Sequence, residues 1–484
     1  MTVKSGILGK TKPNGSALLY RAPLDSATSA VINIANDGTG AAYSIGLKSY
    51  DQRLNLDADT YNFATGYVVS NYKLSTTTPI PAGATPGSTL LSADGASTAK
   101  FNKYLVPAFT TIFVKDVLIK RMTLESTSGT IAVGDTLTKG TGAAADVTTA
   151  LVFEVFISGS STIVVVGPET VGQNSSNFAD GDILAATSGG NGTVSAGGIG
   201  NPGQDFVFST TTAGGTYNSH FSDPLTVLTD RKYRFDVSDS SMSGKLFKFS
   251  QTINGEWGPD GDFTATGDNG VSFIGGVTTS GTAGSSSAYV QMDFAVASLP
   301  AGTLYFYEGT TATAGNAGYG GDDRLLTLSS TYTYQEISVF DVVGTWSATT
   351  IFTFAGLSYV VDVQTVGKYG YVKEWDSANE NLDIILGLNS AAFAGSDVFD
   401  DAPISASQAT SATVSSVTVD ALAIGADQQF VTSKTLSANA ADRLTSIVVG
   451  PGESIVVNNA TQNNSFILHG FQENSTEFTV GYSA

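Results

Sequence analysis

Carboxylates are the reactive groups this sequence has in number: 43 Asp and Glu, against 2 His and no Cys. The densest group is "NGEWGPDGDFTATGDNG", residues 254–270, where Glu256, Asp260, Asp262 and Asp268 lie around Trp257 and Phe263. Two carboxyls several ångströms apart in an aromatic-lined cleft are what glycoside hydrolysis needs, one as acid and one as base or nucleophile. The same oxygens suit Ca²⁺, but their spacing departs from the twelve-residue calcium-loop pattern. A solvated turn rich in Gly, Asn and Asp accounts for the stretch most simply. A Ser-His-Asp relay needs a histidine. His220 stands in a Ser/Asn-rich loop and His469 in the apolar run "SFILHGF". No nucleophile elbow, Walker or dinucleotide motif accompanies them. His469 reads as a partly buried strand residue, and the sequence assigns no catalytic residue, no cofactor and no metal.

Three tryptophans, Trp257, Trp346 and Trp375, sit among Gly, Asn and Asp. Such settings suit sugar-stacking platforms and protein interfaces alike. All three are candidate surface-contact aromatics.

The elements that must position these residues follow from length and composition. At 484 residues the chain is long for one core and should hold three or four domains. Gly is abundant (54), charged residues make up only 14%, and Ser, Thr, Val and Ala fill much of the rest, so the fold class expected is all-β and multi-domain. A formal net charge of −20 repels phosphate backbones, which argues against a nucleic-acid partner. The absence of Cys excludes disulfide frameworks and thiolate metal sites and leaves the redox compartment open. The opening "MTVKSGILGKTKPNG" lacks an apolar signal core, and no 18 apolar residues run together. A soluble protein outside the usual secretory route is expected, with no membrane partner.

Residues 29–50, "SAVINIANDGTGAAYSIGLKSY", set two alternating runs either side of Asn36-Asp37-Gly38-Thr39-Gly40 and predict a hairpin. Further strands are expected at 110–119, 150–157, 162–166, 232–237, 246–250, 289–296, 303–307, 359–366, 382–388, 446–449 and 454–457. The stretch near Asp442 leaves room for a short helix, and "YVKEWDSANENLD", residues 371–383, reads as an exposed hairpin. "FADGDILAATSGGNGTVS" (178–195) and "FAGSDVFDDAPISASQATSATVSS" (393–416) share an Asp-apolar turn, a small-residue loop and a strand. "VGDTLTKGTGAAADVTT" (133–149) is a looser third copy. Their irregular spacing suggests inserted small β-modules instead of a solenoid. Gly-rich stretches at 195–205 and 210–220, and again at 315–321, mark a middle domain over 223–330.

"LTDRKYRFDVSDSSMSGKLFKFSQTINGEWG" (228–258), "GVTTSGTAGSSSAYVQMDFAV" (276–296) and "GTLYFYEGTTATAGNAG" (302–318) together resemble the cupredoxin-like β-sandwich domains of tailed-phage structural proteins. In copper-binding members the resemblance places a His at the position of Lys245, a Cys at Glu308, a His near Thr311 and a Met near Ala314. Lys, Glu, Thr and Ala cannot supply the imidazole and thiolate that copper needs. The resemblance therefore implies a sandwich kept as scaffold or binding surface, without electron transfer.

The ends of the chain carry a second resemblance. Residues 6–48 are similar to the opening strands of a small β-domain of phage virion and tail-associated proteins, and residues 434–471, with a Gly-Pro-Gly-Glu turn, to its closing strands. This implies an N-terminal β-domain over 1–120 completed by strands of 425–484. Inserted small β-modules would lie at 121–205, the sandwich at 223–330 and another inserted β-module at 331–424. Functionally it implies a virion structural protein of the tail, baseplate or neck, assembled in the host cytoplasm. Partners would be other virion structural proteins and further copies of itself. The alternative class is a receptor- or glycan-binding fibre or spike protein contacting a host-surface glycan, or a head-decoration protein.

Overall fold

In the computed structural model the chain is built from β-sheets that are antiparallel except for two parallel pairs among the described residues, Thr110–Ser128 with Lys232–Asp236 and Thr226–Leu228 with Leu325–Ser329, and the helical elements among those residues are single 3-10 turns. The structure describes residues 3–23, 26–57, 63, 66–200, 203–211, 217–219, 225–258, 270–296, 304–310, 324–387, 390–404, 411–419, 422, 424–426 and 428–474. Two compact units result: Met1–Leu105 with Thr333–Ala484, and Val106–Tyr332.

The first unit begins and ends in one sandwich. One sheet runs Val3–Thr11, Asn464–Asn474, Ser26–Asn36, Ala441–Val449; the other runs Gly15–Arg21, Ser454–Asn459, Ala41–Lys48, Gln429–Leu436. The hairpin expected over 29–50 does not form: Ser26–Asn36 and Ala41–Lys48 lie in opposite sheets and pair with strands near the end of the chain instead of with each other, Val31 with His469 and Ser44 with Asn458, because the apolar side of each faces the core between the sheets. Alternation decides which side faces in: Ala30, Ile32 and Ile34 meet Tyr43, Ile45, Ile455, Val457, Phe466 and Leu468 in one core. Closing a loop of about 400 residues instead of about 50 costs only about 2 kcal/mol more. Each fully buried Ile or Leu contributes about 1.5–3 kcal/mol, so two such side chains offset the whole difference. Asp442, where a short helix had room, lies in the strand Ala441–Val449 and takes hydrogen bonds from Lys434 and the Tyr43 hydroxyl, which hold it in extended chain.

Three closed six-stranded barrels fill much of the rest. One comprises Lys73–Pro81, Thr89–Ser92, Thr98–Leu105, Thr333–Val343, Ile351–Phe354 and Leu357–Thr365. A second comprises Gln52–Leu56, Tyr67–Ser70, Lys368–Asp376, Asn381–Leu386, Val398–Ala402 and Ala412–Val419. The third, in the second unit, comprises the far half of Thr110–Ser128, then Thr136–Lys139, Thr148–Ser158, Ser161–Val166, Ile183–Ala186 and Asn191–Ile199.

All three share one wiring. Each barrel has two halves of three strands in chain order. The first strands of the halves pair with each other, and so do the second strands; each third strand joins its own second to the other half's first. The barrel starting at Gln52 follows the same rule although its third strand, Lys368–Asp376, lies some 300 residues downstream of its second.

A recurring turn starts the second strands. The Asp135 N–H donates to the Ala132 carbonyl (3.1 Å), Gly134 has φ +89°, and the Asp135 carboxylate accepts from the Ala132 N–H (2.7 Å). Gly134 and Asp135 together face one residue, Val152, at 2.9 and 2.8 Å. Positive φ at the third position is what a type II turn requires, and two residues facing one is a bulge. The same arrangement recurs at residues 179–182 against Val194 and 394–397 against Val414, the other two repeated stretches. It also stands at 85–88 against Phe101 and 347–350 against Val361, which the sequence did not reveal, and at 450–453 against Ala22, the Gly-Pro-Gly-Glu turn. There Ser, Thr and Glu replace the Asp: Thr350 Oγ1 and the Glu453 carboxylate still accept from the first residue's N–H, at 3.1 and 2.8 Å, whereas at 85–88 only the backbone geometry is common.

The rest of the second unit is a sandwich. One sheet contains Gly203–Ser209, the near half of Thr110–Ser128, Lys232–Asp236, Tyr289–Asp293 and Val277–Ser280; the other contains Thr226–Leu228, Leu325–Ser329, Leu304–Glu308 and Phe247–Ser250. Its core gathers Phe206, Phe208, Phe235, Phe249 and Phe306 around Phe247, at ring distances of 5.0 to 6.1 Å.

These pairings redraw the expected domains. A boundary near 120 falls inside Thr110–Ser128, one strand serving both sandwich and barrel. The 223–330 sandwich takes two further strands from 110–119 and 203–209, because its apolar face needs partners its own segment lacks. Residues 331–424 close barrels only with strands from 52–105. The Gly-rich 195–205 stretch is not a linker: it holds the end of Asn191–Ile199 and the start of Gly203–Ser209.

Candidate functional site

Of the four positions singled out by the resemblance, Lys245 and Glu308 are described, and both are charges already engaged. Glu308 ends the strand Leu304–Glu308, is 3% exposed, and accepts from the Leu246 and Thr310 N–H groups, both at 2.8 Å. Lys245 bonds the Gln204 side chain and lies 3.6 Å from Asp116. Burial pushes the Asp116 carboxyl up to about 6 against the pull of Lys245, with Asp205 and Glu308 adding to the rise. Asp205 in turn accepts from Arg324 at 3.0 Å in a fully buried pair. Among the described residues no three His, Cys, Asp or Glu side chains converge as a metal-ligand group. Thr311 and Ala314 lie outside the described residues.

Of the carboxylates near Trp257, only Glu256 is described; Asp260, Asp262, Asp268 and Phe263 lie outside. Burial raises the Glu256 carboxyl, but hydrogen bonds from Lys248 at 3.0 Å and Ser272 at 3.0 Å outweigh it and hold the group below its ordinary value. A carboxylate so held is an ionised anchor for the Gly255–Trp257 turn and is poorly suited to donate a proton.

The tryptophans separate. Trp346 is 1% exposed and packs on Phe352 at 5.6 Å inside the first barrel, so it is not a surface contact; the turn at 347–350 directs the preceding residue inward. Trp375, in the hairpin of Lys368–Asp376 and Asn381–Leu386, is half-buried edge-on against Phe63 at 5.0 Å. Trp257 is half-buried beside Glu256. His220 lies outside the described residues.

His469 opens onto a different feature. Along Asn464–Asn474, Phe466, Leu468 and Gln472 point into the sandwich, while Ile467, His469, Phe471 and Glu473 point outward. Register aligns their neighbours in rows: Ser5, Phe471, Ser29 and Val448; Ile7, His469 and Val31; Lys10, Ile467, Asn33 and Arg443. Ile7 is 62%, Phe471 62% and Val448 66% exposed. An open groove of about 620 Å³ runs over this face, lined by Val31, Arg443, Val448, His469 and Phe471 among others. No family model, curated protein or solved structure matches this chain. The site therefore stands on its own geometry. Ser29 and Ser446 also line it, and among the described residues no hydrogen bond joins either hydroxyl to His469. What it can do is bind: large apolar side chains at the centre, charges at the rim, on a rigid sheet. The sequence carries the signal as alternation in "SFILHGF", where both parities are apolar, so one set of side chains has to face outward.

Proposed function

We propose that this chain is a structural subunit of a tailed-phage virion, assembling through protein contacts in the tail, baseplate or neck. The observation that carries the reading is the exposed apolar sheet face with His469 at its centre, which suits a binding surface. The resemblances of the chain ends and of the central sandwich to phage modules support it, the latter as a cupredoxin-like domain without its copper ligands. The engaged states of Glu256, Lys245 and Glu308 favour a scaffold over an enzyme. Antibody labelling of intact particles, viewed by negative-stain electron microscopy, tests it. Label along the tail, baseplate or neck is expected. Label at distal fibre tips would favour receptor or glycan binding, label on the capsid a decoration role, and unlabelled particles would overturn the virion assignment.

A further inference from the structure

We propose that the outer face of the sheet formed by Val3–Thr11, Asn464–Asn474, Ser26–Asn36 and Ala441–Val449 binds the same face of a second copy of this chain, about a two-fold axis passing near His469. A chain of net charge −20 repels its copies over most of its surface. Contact between copies needs a face that is apolar and free of the chain's acidic excess, and this face, with Lys10 and Arg443 against Glu473, is both.

Its polarity runs along the strands. At one end Glu473 is exposed, opposite Val3 and Ala27. In the centre stand Phe471, Ile7, Val448, Val31 and His469. At the other end one row holds Lys10 and the exposed Arg443. Lys10, Arg443 and Glu473 form no ion pair among the described residues. Glu473 and the Lys10–Arg443 row are six residues apart on Asn464–Asn474, about 20 Å. A two-fold axis at the midpoint, near His469, lays Glu473 of each copy over the basic row of the other and Phe471 against the apolar centre. In such an isologous contact each pair occurs twice, so one self-complementary patch suffices.

The size of the patch sets the strength. Four strands about 4.8 Å apart and about 20 Å of their length give a footprint of roughly 400 Å² per copy, the size of a weak, transient contact. The dimer should therefore dissociate in the micromolar range rather than the nanomolar.

The test is the solution mass of the full chain by sedimentation velocity over roughly 1–200 μM. A shift from monomer to dimer across that range is expected. F471D should weaken association at least tenfold. E473K and the pair K10E/R443E should each weaken self-association by a comparable factor, and mixing these two variants should restore it as a heterodimer. All substituted side chains are exposed or at the rim, and thermal melting checks that each variant folds. If F471D melts early, the charge reversals decide. A wild-type chain monomeric throughout would overturn the proposal and leave the face to a different partner. So would a dimer indifferent to the charge reversals, or a mixture that fails to recover. This inference stands apart from the virion reading: solution mass decides the one, particle labelling the other.

Discussion

The barrel of residues 119–199 and the barrel that starts at Gln52 have the same six-strand wiring but opposite relations to the chain. The first is continuous; the second is split, with its two strands from 52–70 and its four from 368–419. Continuity is therefore not what defines this barrel. Strand pairing and the turns that start the second strands define it, and an insertion is tolerated wherever two paired strands end side by side.

The largest effect expected from this comparison is topological. Ile119 and Gly203 are partners in an antiparallel ladder, so residues 120–202 can be replaced by a two-residue Asn-Gly hairpin. The sandwich should keep its cooperative unfolding transition, read by circular dichroism, whereas excision of 368–419 should abolish folding of the first unit. If both deletions are equally destructive, the continuous barrel is not the separable module described.

Next come the two cores. Leu184→Ala in the continuous barrel and Leu382→Ala in the split one each remove a fully buried side chain and should cost about 2–5 kcal/mol. In urea the first should lower one transition and leave the first unit unchanged. A single transition shifted by both would mean that the barrels unfold together.

The strand Thr110–Ser128 sharpens the boundary through pH. Asp116 lies in its sandwich half, with a folded pKa raised to about 6 by burial. Below about 3.9 the group is protonated in both states and adds no penalty; as pH rises to about 6 the unfolded state ionises first and stability falls. Asp116→Asn should thus stabilise the sandwich by about 1–3 kcal/mol at pH 7 and change little at pH 4. The barrel transition should not respond. Equal gains at both pH values would remove burial of Asp116 as the cause.

The smallest effects come from the turns and have opposite signs. Gly181 at φ +82° and Ser396 at φ +71° hold equivalent positions in the continuous and split barrels. Gly181→Ala should cost about 1 kcal/mol, and Ser396→Gly should gain a few tenths to about 1 kcal/mol, since only Gly adopts that region without strain. Thermal midpoints moving in the same direction would show that the two turns are not equivalent.

Several of these elements were legible in advance. The Asp turns at 135, 182 and 397 and the eleven strands expected between 110 and 457 follow from alternation and turn residues, which act locally. The 29–50 run gave its two strands but not their pairing, because each strand joins a different sheet of the sandwich. The turns at 85–88 and 347–350 escaped because a Ser or Thr replaces the Asp, and a bulge is defined by its backbone. Trp346 looked like a surface residue because its neighbours are small and polar, yet the barrel wall closes over it.

Alternating apolar residues, abundant Gly and scarce charge determined that this protein is all-β and where its turns fall, because those preferences belong to a few adjacent residues. Which strands become neighbours was decided by tertiary structure. Long loops close at little extra entropic cost, so a strand pairs with whichever segment best covers its apolar face, however distant in the chain. The same choice left Ile7, Phe471 and Val448 together on one outer surface, although Ile7 lies more than 400 residues before the other two.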